Sequence, residues 1–126
     1  MRFPTGTTAL GPNVDLTLRN NSVSNIDDNS PFPFGVQHGI QIEARRNSNM
    51  CLDIAGNAAS AIGGAEHFRV RQRDGATFRL ERLTGSGAND VNVANFIAAQ
   101  NAAASSASTT HTTTFTPVAD TTCQAP

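Results

Sequence analysis

Val14, Leu16 and Leu18 alternate with polar residues, and this period of two predicts a strand with those three side chains on its buried face. The same alternation returns at Ile40-Gln-Ile42-Glu-Ala44, Leu52-Asp-Ile54, Phe68-Arg-Val70-Arg-Gln72 and Phe78-Arg-Leu80. What separates these segments is turn chemistry: a long Asn/Asp/Ser/Pro loop from Asn20 to Gly35, the polar run Arg45 to Asn49, Gly63-Gly64, and Arg73-Asp74-Gly75. Two of the strands end on the same polar break, Leu16-Thr-Leu18-Arg-Asn-Asn21 and Leu52-Asp-Ile54-Ala-Gly-Asn57. A strand this short cannot bury its own apolar face, so several must stack to make a core.

The pairs Leu16/Leu18, Ile40/Ile42, Leu52/Ile54 and Phe68/Val70 superpose as apolar layers. The outward columns are then Thr17, Gln41, Asp53, Arg69 and Arg19, Glu43, Ala55, Arg71, with an exposed Asp53–Arg69 ion pair expected. The spacings between pairs are uneven, so the stacking order stays open and some strands are free to lie on different sides of a coil. Arg73-Asp74-Gly75 admits two readings, a three-residue hairpin loop pairing Val70 with Phe78 or a corner between two sheets. Asn21 and Asn57, at matched positions, read as a structural Asn ladder.

The C-terminal third changes character. Residues 84–89 form a Gly/Ser joint, and Asn89 or Asp90 is placed to cap a helix of about 90–101 with Val93, Phe96, Ile97 and Gln100 on one face. Such a helix suits the open end of a strand stack. A low-complexity Ala/Ser/Thr stretch at 102–110 and an extended Thr109 to Thr116 follow, anchored by Phe115. The organisation expected is a loop over 1–13, stacked strands over 14–83 and a terminal cap over 84–126.

Composition narrows the function classes. The chain of 126 residues is 38% hydrophobic and 15% charged, with net charge −1 and neither Trp nor Tyr. That balance provides no general attraction to nucleic acid, which also wants aromatic platforms. No apolar run approaches the ~20 residues of a membrane span, and Met1-Arg-Phe-Pro-Thr-Gly6 has no apolar signal-type core. Cys51 and Cys123 form no Cys-x-x-Cys pair, so no zinc or thioredoxin-type motif arises from them. Cys51 falls on the outward phase of its strand, where a returning tail could present Cys123, and a disulfide between them is expected.

Cys51-Leu-Asp-Ile-Ala-Gly-Asn57, Phe68-Arg-Val-Arg-Gln-Arg73, Phe78-Arg-Leu80, the capped helix and the Cys123-Gln-Ala-Pro126 ending together resemble a known group. It is the C-terminal part of bacterial right-handed parallel β-helix repeat proteins, the adhesin-like or autotransporter-like exported proteins. The resemblance implies a mainly β chain, a short solenoid fragment with a C-terminal capping helix and extended tail, at or outside the cell surface. It implies a non-enzymatic structural or adhesive role, without cofactor, as the end of a longer exported protein whose upstream rungs or a surface glycan would be its partners.

Other chemistry is weighed on the residues. Arg69, Arg71, Arg73 and Arg79 read as a basic stripe able to hold sulfated or uronic polysaccharide, because guanidinium matches such anions bidentately. A polysaccharide lyase or hydrolase is the alternative class; it needs paired carboxylates, and Asp53, Glu43 and Asp15 are the candidates. Asp27-Asp28-Asn29-Ser30 offers oxygen ligands for calcium without a full loop spacing. His38, His67 and His111 have no mutual ligand spacing, and Asn20-Asn21-Ser22 is formally a glycosylation sequon.

Overall fold

A computed structural model describes residues 11–24, 38–60, 66–83, 90–101, 107–110 and 115–124. The strands are β1 (Asn13–Arg19), β2 (Ser22–Val23), β3 (Ile40–Arg45), β4 (Asn49–Ala55), β5 (Ala58–Ala59), β6 (Phe68–Arg73) and β7 (Thr77–Glu81). Helix α1 (Asp90–Gln100) and strands β8 (Ala107–Thr110) and β9 (Thr116–Val118) complete the order. They form three sheets, β1-β4-β7-β9, β2-β5 and β3-β6-β8, and every pairing in them is parallel. The protein is thus mainly β with one short helix near its C-terminus.

The chain visits the three sheets in turn, β1, β2, β3 and then β4, β5, β6, before β7 returns to the first sheet. This resolves the uneven spacing of the apolar pairs. Leu16 and Leu18 lie over Leu52 and Ile54 in one sheet, whereas Ile40 and Ile42 lie over Phe68 and Val70 in another. The four pairs, whose order the sequence leaves open, thus divide into two stacks of two in different sheets. Ile42, Ile54 and Val70 accordingly share one core cluster with Leu52, Phe68, Phe78 and Leu80. Alternation supplies the inward face of each strand, and the strongest burial falls on the inner strands: β6 alternates buried with half-buried along its length.

Corners between sheets carry the turn residues. Arg73-Asp74-Gly75 is the corner from β6 to β7 and not a hairpin, because those strands belong to different sheets. Asp74 and Gly75 both have positive φ there, and Ala76 N–H closes the turn on the Arg73 carbonyl at 3.1 Å. The corner after β3 repeats this, with Arg46 at positive φ and Ser48 N–H on the Arg45 carbonyl. Gly56 leaves β4 at φ +68, in the left-handed region that favours glycine, and a Cβ there would stand 2.3 Å from Asn20 Oδ1, so a side chain would have to displace that amide.

Helix α1 buries Val93 and Ile97 fully, as the 3.6-residue pattern requires, with Phe96 half-buried against the same core. It packs on β8 and touches β4. The segments read as low-complexity and extended tail are in fact partly strand: β8 continues the β6 sheet and β9 the β7 sheet. Phe115 is buried and meets the Phe78 ring edge-on, centroids 5.3 Å apart. Among the described residues no helix is long and apolar enough to cross a membrane.

Candidate functional site

The outer face of sheet β1-β4-β7-β9 concentrates the polar chemistry. Strand alternation sends the odd-numbered residues of β1, β4 and β7 outward, and parallel register stacks them in columns. The first column is Asn13, Asn49 and Thr77: Thr77 Oγ1 donates to Asn49 Oδ1, and Asn49 Nδ2 donates to Asn13 Oδ1 at 2.9 Å. The second is Asp15, Cys51, Arg79 and Thr116, where Arg79 Nη2 reaches across Cys51 to Asp15 Oδ1 at 3.5 Å. These two columns, Cys51 apart, line a shallow groove of about 530 Å³.

The third column begins with Thr17 and Asp53, and Glu81 and Val118 continue it. Here the face is closed. Asp53 and Glu81 are buried, and two arginines reach both of them, Arg19 from the end of β1 and Arg82 from the turn after β7. Arg19 Nε donates to Asp53 Oδ2, and Arg82 Nη2 donates to Asp53 Oδ1 at 2.6 Å. Arg82 Nη1 lies 3.4 Å from Glu81 Oε1 and 3.2 Å from Asp120 Oδ1. Glu81 Oε2 accepts the Cys123 backbone N–H at 2.8 Å. The Arg19 pKa is raised, first by its hydrogen bond to Asp53; that of Asp120 is lowered, first by a hydrogen bond with Glu81 and then by one from Arg82.

What covers this cluster is the C-terminal tail, fixed by a disulfide between Cys51 and Cys123 whose Cα atoms are 5.0 Å apart. The expected pairing of the two cysteines is therefore present, and both are fully buried. A bond over a separation of 72 residues pins the tail to the sheet it crosses. The expected Asp53–Arg69 pair is corrected: Asp53 belongs to β4 and Arg69 to β6, in different sheets.

The predicted basic stripe divides. Arg69, Arg71 and Arg73 share the outer face of β6, while Arg79 sits apart in the groove of the first sheet. Arg69 Nη1 donates to His38 Nε2 at 2.8 Å, which leaves His38 Nδ1 to donate toward Glu66 Oε2 at 3.1 Å. That histidine side chain is largely enclosed. Arg71 Nη1 lies 3.4 Å from Glu43 Oε2, and Arg45 bonds the other oxygen of Glu43. Burial, followed by repulsion from Arg69, lowers the Arg71 pKa. The three candidate carboxylates have different partners: Glu43 is in another sheet with Arg45 and Arg71, while on the first sheet Asp15 pairs with Arg79 and Asp53, one column along, is under the tail with Arg19 and Arg82. The calcium candidate Asp27 to Ser30 and His111 lie outside the described residues.

The Asn ladder extends further than expected. Asn57 Oδ1 accepts both the backbone N–H and the Nδ2 of Asn21, each at 3.0 Å. Asn101 Oδ1 accepts the same two groups from Asn57, at 3.1 and 2.8 Å. Asn101 then turns its own Nδ2 back to the Ile97 carbonyl of α1 at 2.7 Å. Asn101, Arg19, Arg82, Glu81 and Asp120 were not legible as a group in the sequence. A longer signal is present, however: Asn13-Val14-x-Leu16-x-Leu18-x-x-Asn21 and Asn49-Met50-x-Leu52-x-Ile54-x-x-Asn57 match over nine positions. No family model matches this chain, and no curated protein or solved structure is similar to it.

Proposed function

We propose that this chain is the C-terminal structural segment of an exported or cell-surface protein built as a right-handed parallel β-helix, with a scaffolding or adhesive role and no catalytic one. The observation that carries the reading is the finish of the Asn ladder. In the chain order α1 stands where a third strand of the β2-β5 sheet would come, and Asn101 at its end receives the hydrogen bonds that a further Asn corner would receive. A helix that satisfies a repeat's last polar groups is a terminal cap. The tail supports it, since β9 adds to the far edge of the sheet and Cys123, beyond it, is tied to Cys51 on the outer face. The carboxylates agree with a structural role, because each is engaged by arginine.

The disulfide supports an oxidising compartment. Differential alkylation of the protein drawn from its native cells, read by mass spectrometry with and without reductant, tests this. Two alkylated thiols before reduction would overturn the exported reading; alkylation only after reduction is the result expected.

A second reading, a glycan-binding module, is favoured by the groove. Asn13, Asn49 and Thr77 offer amides and a hydroxyl at the ~4.8 Å strand spacing, beside the Asp15–Arg79 pair. A glycan-array signal abolished by Asn49→Ala and Arg79→Ala would establish it. Binding that survives Arg69→Ala and Arg71→Ala would place the ligand off the β6 face.

A further inference from the structure

We infer that the edge formed by β1, β2 and β3 is an interaction surface for one more parallel rung, whose first strand carries the pattern Asn-apolar-x-apolar-x-apolar-x-x-Asn. The inference rests on the β-helix reading above and names the partner that its open end takes.

The three sheets all begin on the same side: β1, β2 and β3 are each the first strand of their sheet, with one edge unpaired among the described residues. The apolar row on that side is incomplete in its burial. Val14 is 38% exposed and Leu16 and Leu18 are only half-buried, while Leu52, Ile54, Phe78 and Leu80 on the succeeding strands are fully enclosed. An apolar row of this kind on an unpaired edge is what another strand covers.

The polar ladders give the surface its direction. In the corner ladder each Asn passes its N–H and Nδ2 to the Oδ1 of the next, so Asn57 and Asn101 oxygens are filled. Asn21 Oδ1 is the one ladder acceptor that receives no donor among the described residues. In the outer ladder the donors run the opposite way, from Thr77 to Asn49 to Asn13, which leaves Asn13 Nδ2 as the next donor. A rung that fits must therefore present an acceptor in register with Asn13 and an N–H and amide pair in register with Asn21. The two positions are eight residues apart, as Asn49 and Asn57 are.

A rung, and not a second copy of this chain, is the occupant that meets these demands. All pairings already made are parallel, and a parallel strand continues both ladders in register. A copy related by a two-fold axis would set its β1 antiparallel and bring no Asn corner to Asn21.

The test inserts a second copy of Asn49–Ala76, with Cys51→Ser in the copy, between Pro12 and Asn13 of the full chain. Ala76 precedes Thr77, which holds the β7 position that Asn13 holds in β1, so the native corner is retained. Amide exchange at Asp15 and Thr17, whose N–H groups alternate away from β4 toward the open edge, is expected to slow by at least about tenfold, and Tm to rise by about 5 °C. The same insert carrying Leu52→Ser, Ile54→Ser and Asn57→Ala in the copy is expected to give neither change. Unchanged exchange in β1, or an insert removed by limited proteolysis as loose chain, overturns the inference. So does sedimentation of the original chain as a dimer with β1 already protected, which would make a second copy the occupant. Alkylated thiols in native cells would instead remove the exported reading and leave the rung result standing.

Discussion

The N-terminal edge and the C-terminal end of this protein bound the same stack of parallel strands and finish in opposite ways. At the C-terminal end the apolar row is covered by α1, β8 and Phe115, and the outer face by a tail that a disulfide secures. At the N-terminal edge Thr17 is exposed, although its register partner Asp53 is completely buried. Equivalent positions differ only in whether something lies over them. The comparison teaches that strand stacking supplies one generic interior, and that the ends decide which polar groups become structural.

The largest expected effect separates Asp53 from Thr17. Asp53→Ala removes the shared counterion of Arg19 and Arg82, and is expected to cost about 3 kcal/mol, the low end for a broken buried pair because both arginines keep some water. Thr17→Ala should lie within about 0.5 kcal/mol of the parent. Urea unfolding of the two variants checks this, and equal losses would break the comparison. Leu52→Ala against Leu16→Ala sharpens it in the core: about 3 kcal/mol for the enclosed residue, less than half of that for the half-buried one.

Next comes the latch. Cys51→Ser with Cys123→Ser should lower stability by about 2–4 kcal/mol and free the Cys123 amide to exchange, with Asn21 unaffected. Thermal unfolding with and without reductant gives the same contrast on the parent chain. For the ladder, Asn57→Ala orphans groups on both neighbours and should cost about 1–3 kcal/mol. Asn21→Ala, at the open end, should cost a few tenths to about 1 kcal/mol.

The smallest effect is a pH dependence. The Asp120 carboxyl is held below its ordinary value, so its contribution is present above the unfolded-state pKa and is lost as pH falls through the depressed folded value. The unfolded state takes up that proton first, so stability should fall on acidification below about pH 4. Asp120→Asn should flatten that limb slightly, as followed by Tm from pH 6 down to pH 2.

Much of this architecture is legible one strand at a time. Period-two alternation assigned the inward faces of β1, β3, β4, β6 and β7, and helical spacing put Val93 and Ile97 on the buried side of α1. The phase of Cys51 on its strand pointed outward to Cys123. The sites were less legible. Arg79 has the same local context as Arg69, an arginine between apolar strand residues, yet a corner at Asp74 and Gly75 sends it to another sheet. Asp53 looks like any solvent-facing strand carboxylate until a tail some seventy residues later closes over it.

Sequence alone determined which side of each strand is apolar, where the chain turns, where the helix lies and which cysteines stand to meet. These depend on side-chain chemistry within a few residues, where steric and hydrophobic preferences act directly. Only the tertiary structure decided that Leu16 meets Leu52 and not Ile40, that Asn101 ends the ladder, and that Asp53 and Glu81 are enclosed with arginines. Corners of different length set the register between distant segments, and no local preference encodes that sum. Burial of a charge is likewise a property of whatever packs over it, and here the covering tail is among the last residues of the chain.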